Sequence, residues 1–128
     1  LSLVATIDDK VVGHILFTKI KIIDEKSNEF ESLALAPMAV RPGFQRQGIG
    51  GRLIRKGLEI ATKLNYNSVI VLGHEHYYPK FGFAPADKWE IKAPFDVPRA
   101  AFMGLELVEG GLRNVRGTVK YPKEFEMV

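Results

Sequence analysis

The sequence has no cysteine among its 128 residues, which excludes disulfides, thiolate metal sites and a cysteine nucleophile while saying little about compartment. Histidine is scarce. His74-Glu75-His76-Tyr77-Tyr78 resembles a zinc helix only at first sight, because His-Glu-x-x-His would need histidine at position 78, where tyrosine stands. No metal is expected. The charge balance of 18 basic to 15 acidic residues gives a net charge of +3, with no run of five like charges, so neither a nucleic-acid nor a membrane surface is indicated. An apolar stretch of eighteen residues and a signal peptide are both missing, and the expected location is cytoplasmic. What is present, 46% hydrophobic and 26% charged residues, suits one globular domain over residues 1–128 with its own core.

The most informative stretch is Val40-Arg41-Pro42-Gly43-Phe44-Gln45-Arg46-Gln47-Gly48-Ile49-Gly50-Gly51-Arg52-Leu53. It follows an apolar run, 33–40, and opens a segment with helical periodicity at Ile49, Leu53, Ile54, Leu58, Ala61 and Leu64, so it marks a strand-to-helix junction. Glycine inside a helix costs about 1 kcal/mol relative to alanine. Gly43, Gly48, Gly50 and Gly51 therefore make a poor helix start by propensity. Arg46 and Arg52 oppose the positive end of the helix dipole by roughly 0.3 to 1 kcal/mol each. A bound polyanion resolves both oddities, since bare backbone N–H groups and guanidinium groups suit phosphate oxygens. A flexible loop that happens to carry these residues is the alternative.

Two phosphate motifs are rejected. Gly43 and Gly48 have the outer spacing of a P-loop, yet Ile49 and Gly50 stand where Lys and Ser/Thr are needed. Gly48-Ile49-Gly50-Gly51-Arg52-Leu53 begins like a dinucleotide fingerprint, but Leu53 replaces the third glycine and no acidic residue follows at the required distance.

Gln45-Arg46-Gln47-Gly48-Ile49-Gly50 reads Gln/Arg-x-x-Gly-x-Gly/Ala after a strand, and Tyr78-Pro79-Lys80-Phe81-Gly82-Phe83 reads Tyr-x-x-x-Gly-Phe after the next. Together these resemble the GNAT superfamily of N-acetyltransferases. The longer run 71–83, with 102–107 and 117–121 after it, is similar to the YhbS-like branch of that superfamily. The resemblance implies an α/β (α+β) fold: a mixed, mostly antiparallel sheet with a central parallel βαβ unit and splayed strands. It also implies an N-terminal strand and two helices that have no counterpart before Leu1, so that the acceptor site is expected to be incomplete.

In chain order, Leu1 to Ile7 and Val11 to Ile23 read as a hairpin around Asp8-Asp9-Lys10. Gly13 permits close packing or a bulge, and His14 is an ordinary strand residue. Phe30 to Val40 is a strand, and Pro37 implies a bulge or lost pairing within it; an edge-strand proline that prevents aggregation is the alternative. Gly48 to Leu64 is the helix, with apolar positions 53, 54, 57/58, 61 and 64 following the helical period, Lys56 and Glu59 facing solvent and Asn65 as its stop. Ser68 to Leu72 is a buried parallel strand. From Ala84 to Ala100 a long loop is expected, with a short strand near Glu90-Ile91 and with Phe95, Asp96 and Arg99 beside the acceptor or merely at the surface. Ala101 to Val108 and Val115 to Tyr121 read as a hairpin about Gly110-Gly111.

The resemblance carries roles onto this chain. Backbone of Met38, Ala39 and Val40 would receive the thioester and pantetheine arm of acetyl-CoA, as an added strand does. Residues Gln45, Arg46, Gln47, Gly48, Ile49, Gly50, Gly51 and Arg52 would take its pyrophosphate. Tyr78 would protonate the leaving thiolate, a phenol of ordinary pKa about 10 serving as general acid. Tyr77 is its rival, though a packing role is expected for it, and packing is equally the alternative for Tyr78. Ala34 stands where histone-acetylating members carry glutamate, leaving Glu31, Glu75, His74 or water as base. The implied function is direct transfer of an acetyl group to a primary amine in a ternary complex. The alternative is a non-catalytic acyl-CoA sensor or interaction module. Expected partners are acetyl-CoA and a small-molecule or peptide amine; a homodimer is admitted, but the sequence fixes no oligomeric state.

Overall fold

Asp8 and Asp9 adopt positive φ values of 49° and 63°, a conformation that short acidic side chains tolerate and that matches the twist of a tight hairpin. They join β1 (Ser2–Ile7) to β2 (Lys10–Ile23) in antiparallel register. The computed structural model describes residues 1–123. β2 is the spine of the sheet. One edge of it pairs with β3 (Glu29–Val40); the other is shared by β1 and, beyond it, by β8 (Gly117–Lys120).

β3 leads through a short 3-10 turn, Pro42–Phe44, into α1 (Ile49–Lys63), which returns the chain to β4 (Ser68–Leu72), parallel to β3. This is the expected βαβ unit, and Asn65, at φ 70°, ends the helix as read from the sequence. Of the expected helix ridge, Leu53, Ile54, Gly57 and Ala61 are buried, whereas Leu64 is 55% exposed because it has already left the last turn as the C-cap. The loop after β4 contains β5 (Ala84–Pro85) and β6 (Ile91–Lys92), and β7 (Phe102–Glu106) follows. The sheet order is β5-β7-β4-β3-β2-β8-β6, with β1 also on β2.

The expected hairpin between β7 and β8 does not form. β7 has both edges occupied, by β4 and β5, while β2 leaves Lys21 to Ile23 open beyond the end of β1, and β8 pairs there. The connection crosses one face of the sheet and buries Leu112 on the way, with the Leu112 N–H donating to Glu106 Oε2 at 3.0 Å.

Two cores lie on opposite faces. Between α1 and the sheet, Leu53 and Ile54 of the helix pack on Ile15, Phe17, Leu33, Leu35, Val69 and Val71. On the other face Ile20, Ile22, Ala34, Ile70, Ile91 and Leu112 pack beneath the loops. Because alternate strand residues point to opposite faces, β2 serves the first core through Ile15 and Phe17 and the second through Ile20 and Ile22.

Candidate active site

The register of β2 and β3 slips between Ile15–Met38 and Phe17–Leu35. One residue of β2, Leu16, therefore opposes two of β3, Ala36 and Pro37, the bulge expected at the level of Pro37. The extra residue reverses the alternation, so Met38 joins Leu35 on the α1 face, packed against that core.

Pairing of β3 with β4 is confined to Leu33–Val69 and Ala34–Ile70. Past this point β3 stays with β2 as far as Val40 and β4 stays with β7 as far as Leu72, so the two parallel strands fork. Their closed end is tied by a buried hydrogen bond of 2.7 Å between the Ser32 and Ser68 hydroxyls. The far edge of β3 is thus unpaired where the chain approaches the helix.

Gly48 is the N-cap of α1, at φ 80° and ψ 5°, a left-handed conformation that costs glycine nothing. No side chain caps this helix and no acidic residue stands in its first turn. The first amides of any helix lack an internal acceptor, and here the series of internal bonds starts only with Arg52 N–H to the Gly48 carbonyl, 3.0 Å. Arg46 also has positive φ, 65°, a cost of order 1 kcal/mol for a residue bearing a Cβ. The Gln45 side-chain amide donates to the Val40 carbonyl at 3.0 Å, which ties the loop to the end of β3.

These elements enclose a cleft of about 660 Å³ lined by Met38, Ala39, Val40, Phe44, Gln45, Arg46, Gly48, Ile49, Gly50, Gly51, Tyr77 and Lys80. The strand residues and most of the loop residues expected to bind are therefore brought together. Gln47 and Arg52 are exposed and do not line it. The four glycines divide by reason. Nothing lies within 4 Å of a Cβ placed at Gly43 or Gly48, whereas at Gly50 it would meet the Tyr77 hydroxyl at 3.3 Å, and at Gly51 Phe81 Cζ at 3.6 Å. Of the two in open space only Gly48 lines the cleft, while Gly50 and Gly51 lie beside the aromatic residues that follow β4.

That turn, Tyr78–Phe81, forms the wall facing α1. The Tyr77 ring meets Tyr78 edge-on at 5.2 Å and Phe81 at 5.3 Å, the packing expected of it, and it also lines the cleft. Tyr78 stands one ring behind, 8% exposed, packed on Phe83 at 5.7 Å and against Gly73 at the end of β4. Among the described residues its hydroxyl finds no hydrogen-bond partner, yet no fully buried side-chain oxygen among them lacks one. The phenol oxygen therefore keeps some exposure, although Tyr78 is not among the residues that line the cleft. Burial, and secondarily the neighbouring Tyr77, raises the Tyr78 pKa above its ordinary value.

The other candidates lie elsewhere. Ala34 is buried in the second core, and Glu31 borders a separate groove with Lys19, Lys21 and Lys120. His74 and Glu75 are exposed, Glu75 lying 3.6 Å from His76. Phe95 stacks on Tyr121 at 6.2 Å, Arg99 pairs with Asp87, and Asp96 is exposed; none of the three lines the cleft. Phe44 and Lys80 line it without having been singled out, although Lys80 lies inside the second motif. Among the described residues no group of three His, Asp or Glu is placed to hold a metal, and no helix is long and apolar enough to cross a membrane.

Comparison with known proteins agrees with this geometry. The acetyltransferase (GNAT) domain matches residues 1–85. The N-acetyltransferase YjhQ of Escherichia coli K12 is 44% identical over 99 residues, 77% of this chain but 54% of its own length. The chain thus spans about half of that relative. The crystal structure of E. coli YhbS in complex with CoA superposes with a TM-score of 0.88 at 28% identity, covering 98% of this chain and 68% of that one. A Brucella melitensis GNAT acetyltransferase in complex with acetyl-CoA gives 0.72 at 31% identity, covering 97% and 67%. With a forked parallel strand pair, an uncapped helix start and the family's domain matched over 85 residues, the chain belongs to the GNAT acetyltransferase family.

Proposed function

We propose that this chain binds acetyl-CoA in the cleft between β3 and α1 and transfers the acetyl group to a primary amine by direct attack in a ternary complex. The observation that carries the reading is the meeting, in one cleft, of the unpaired edge of β3 and the bare N-terminus of α1. The first can receive an amide-bearing pantetheine arm as a further strand would be received; the second is suited to a diphosphate. Relatives whose structures contain CoA or acetyl-CoA support the choice of ligand.

The amine nitrogen attacks the thioester carbonyl carbon, and β3 amides near Met38 stabilise the oxyanion that develops. As the carbon–sulfur bond breaks, the Tyr78 hydroxyl donates its proton to the departing sulfur. The raised pKa keeps that proton in place until it is needed. Among the described residues no carboxylate or imidazole lines the cleft, so the proton shed by the amine passes to water.

The position of Tyr77 in the cleft wall favours one competing assignment, in which Tyr77 is the donor and Tyr78 its support. Turnover of acetyl-CoA with a panel of amines decides it. Tyr78→Phe is expected to lose roughly 10² to 10⁴ in kcat, the usual worth of a general acid, while Tyr77→Phe keeps most activity. The reverse pattern assigns the proton to Tyr77. CoA affinity in calorimetry without turnover of any amine would favour a binding module.

A further inference from the structure

We propose that Lys80 is the counter-charge for the ribose 3′-phosphate of the cosubstrate, so that the cleft selects CoA esters over otherwise identical molecules lacking that phosphate. The inference rests on the reading that the cleft takes acyl-CoA. Such a ligand carries a diphosphate and, separately, a phosphate monoester, whose charge at neutral pH is near that of a phosphorylated side chain, about −1.5 to −2. The helix amides and Arg46 suffice for the diphosphate. The monoester needs a second donor.

The cleft offers one. Among the described residues its lining contains two cations, Arg46 and Lys80, and no Asp or Glu. Elsewhere Lys21, Lys56, Lys63, Arg99 and Arg116 each sit against a carboxylate; among the described residues neither Arg46 nor Lys80 does. The Lys80 ammonium lies 5.1 Å from the centroid of the Tyr77 ring, held over an apolar surface and turned toward the cleft rather than to an acidic partner. Its level along the cleft is fixed by its neighbours. The Tyr77 hydroxyl stands beside Gly50, and Phe81 stands beside Gly51. Lys80 therefore faces the first turn of α1, where phosphates dock, and not the fork where the thioester would lie. A mobile point charge on a long stem suits a terminal monoester, which presents three oxygens and demands no bidentate geometry.

Calorimetry with CoA and with 3′-dephospho-CoA tests this on the wild type, Lys80→Gln and Lys80→Arg. The wild type is expected to bind CoA roughly tenfold tighter than 3′-dephospho-CoA, the scale of one exposed charge-assisted contact. Lys80→Gln should bind CoA as weakly as the wild type binds 3′-dephospho-CoA, with affinity for the latter unchanged; that unchanged value is also the control for folding. Lys80→Arg should retain the preference. Equal affinity of the wild type for both ligands, or equal weakening of both by Lys80→Gln, overturns the proposal. Failure of the wild type to bind either ligand would instead remove the acyl-CoA reading itself.

Discussion

Phe17 and Gly57 meet so closely that a Cβ at position 57 would lie 2.3 Å from Phe17 Cε2. Phe17 is 2% exposed and has nowhere to move. Alanine at 57 would gain about 1 kcal/mol of helix propensity, but overpacking a closed core costs about 1 to 3 kcal/mol. The contact is short enough that the second effect should win. Gly57→Ala is expected to lower stability by about 1 to 2 kcal/mol, read from urea unfolding, whereas Gly43→Ala, in open space, should leave it unchanged. The sequence could not separate these glycines. It showed that a cluster near position 48 disfavoured a helix start, but whether each bare Cα faces a ligand, as at Gly48, or a neighbour, as at Gly50 and Gly57, depends on side chains far along the chain. Tyr77 and Tyr78 pose the same difficulty: their motif was legible, while their depth was set by the turn's approach to Gly73 and Gly50.

At the scale of the elements, the fork of β3 and β4 depends on what holds its closed end. Ser32 and Ser68 are 0% and 2% exposed and satisfy each other. Removing one hydroxyl leaves its partner buried without a bond, at a cost of about 1 to 3 kcal/mol, whereas replacing both is much less damaging. Ser32→Ala is accordingly expected to destabilise, and Ser32→Ala with Ser68→Ala to cost less than the sum of the two single changes, a coupling that a double-mutant cycle in denaturant would expose. The βαβ unit around this bond was readable because strand, helix and strand follow one another and each has its own periodicity. The partners of β7 and β8 were not. Which edges remain open, that of β2 beyond β1 and none on β7, is known only once every other strand has been laid down.

For the whole molecule, pH acts through groups of opposite sign. Burial raises the pKa of Tyr77, Tyr78 and Tyr121, so the folded chain keeps these protons at pH values where the unfolded chain releases them. Stability from this source is intact below the unfolded value of about 10 and falls as pH rises beyond it. Partners lower the pKa of Asp24, Glu29 and Glu59, chiefly Asn28, Lys21 and Lys63 respectively; that contribution is present above the unfolded carboxylate range and is lost as pH falls through the folded values. Glu29 and Glu59 are exposed and Asp24 only half-buried, so the acid limb should be shallow and the alkaline limb steep in a series of melting temperatures. Activity should follow a separate rule. With no acidic or imidazole side chain in the cleft among the described residues, kcat/KM is expected to rise about tenfold per pH unit until it reaches the amine's own pKa, about 10.4 for a lysine-like acceptor. A plateau beginning near pH 6 or 7 would instead require a base supplied by the protein.

β2 changes sides between Phe17 and Ile20, lending its first half to one core and its second to the other. Neither core can dissolve without releasing the same strand, so the domain should melt in one concerted transition with coincident signals from Trp89, which packs on the second core, and from helix α1, which covers the first. The amide protons slowest to exchange with deuterated water should belong to the middle of that strand.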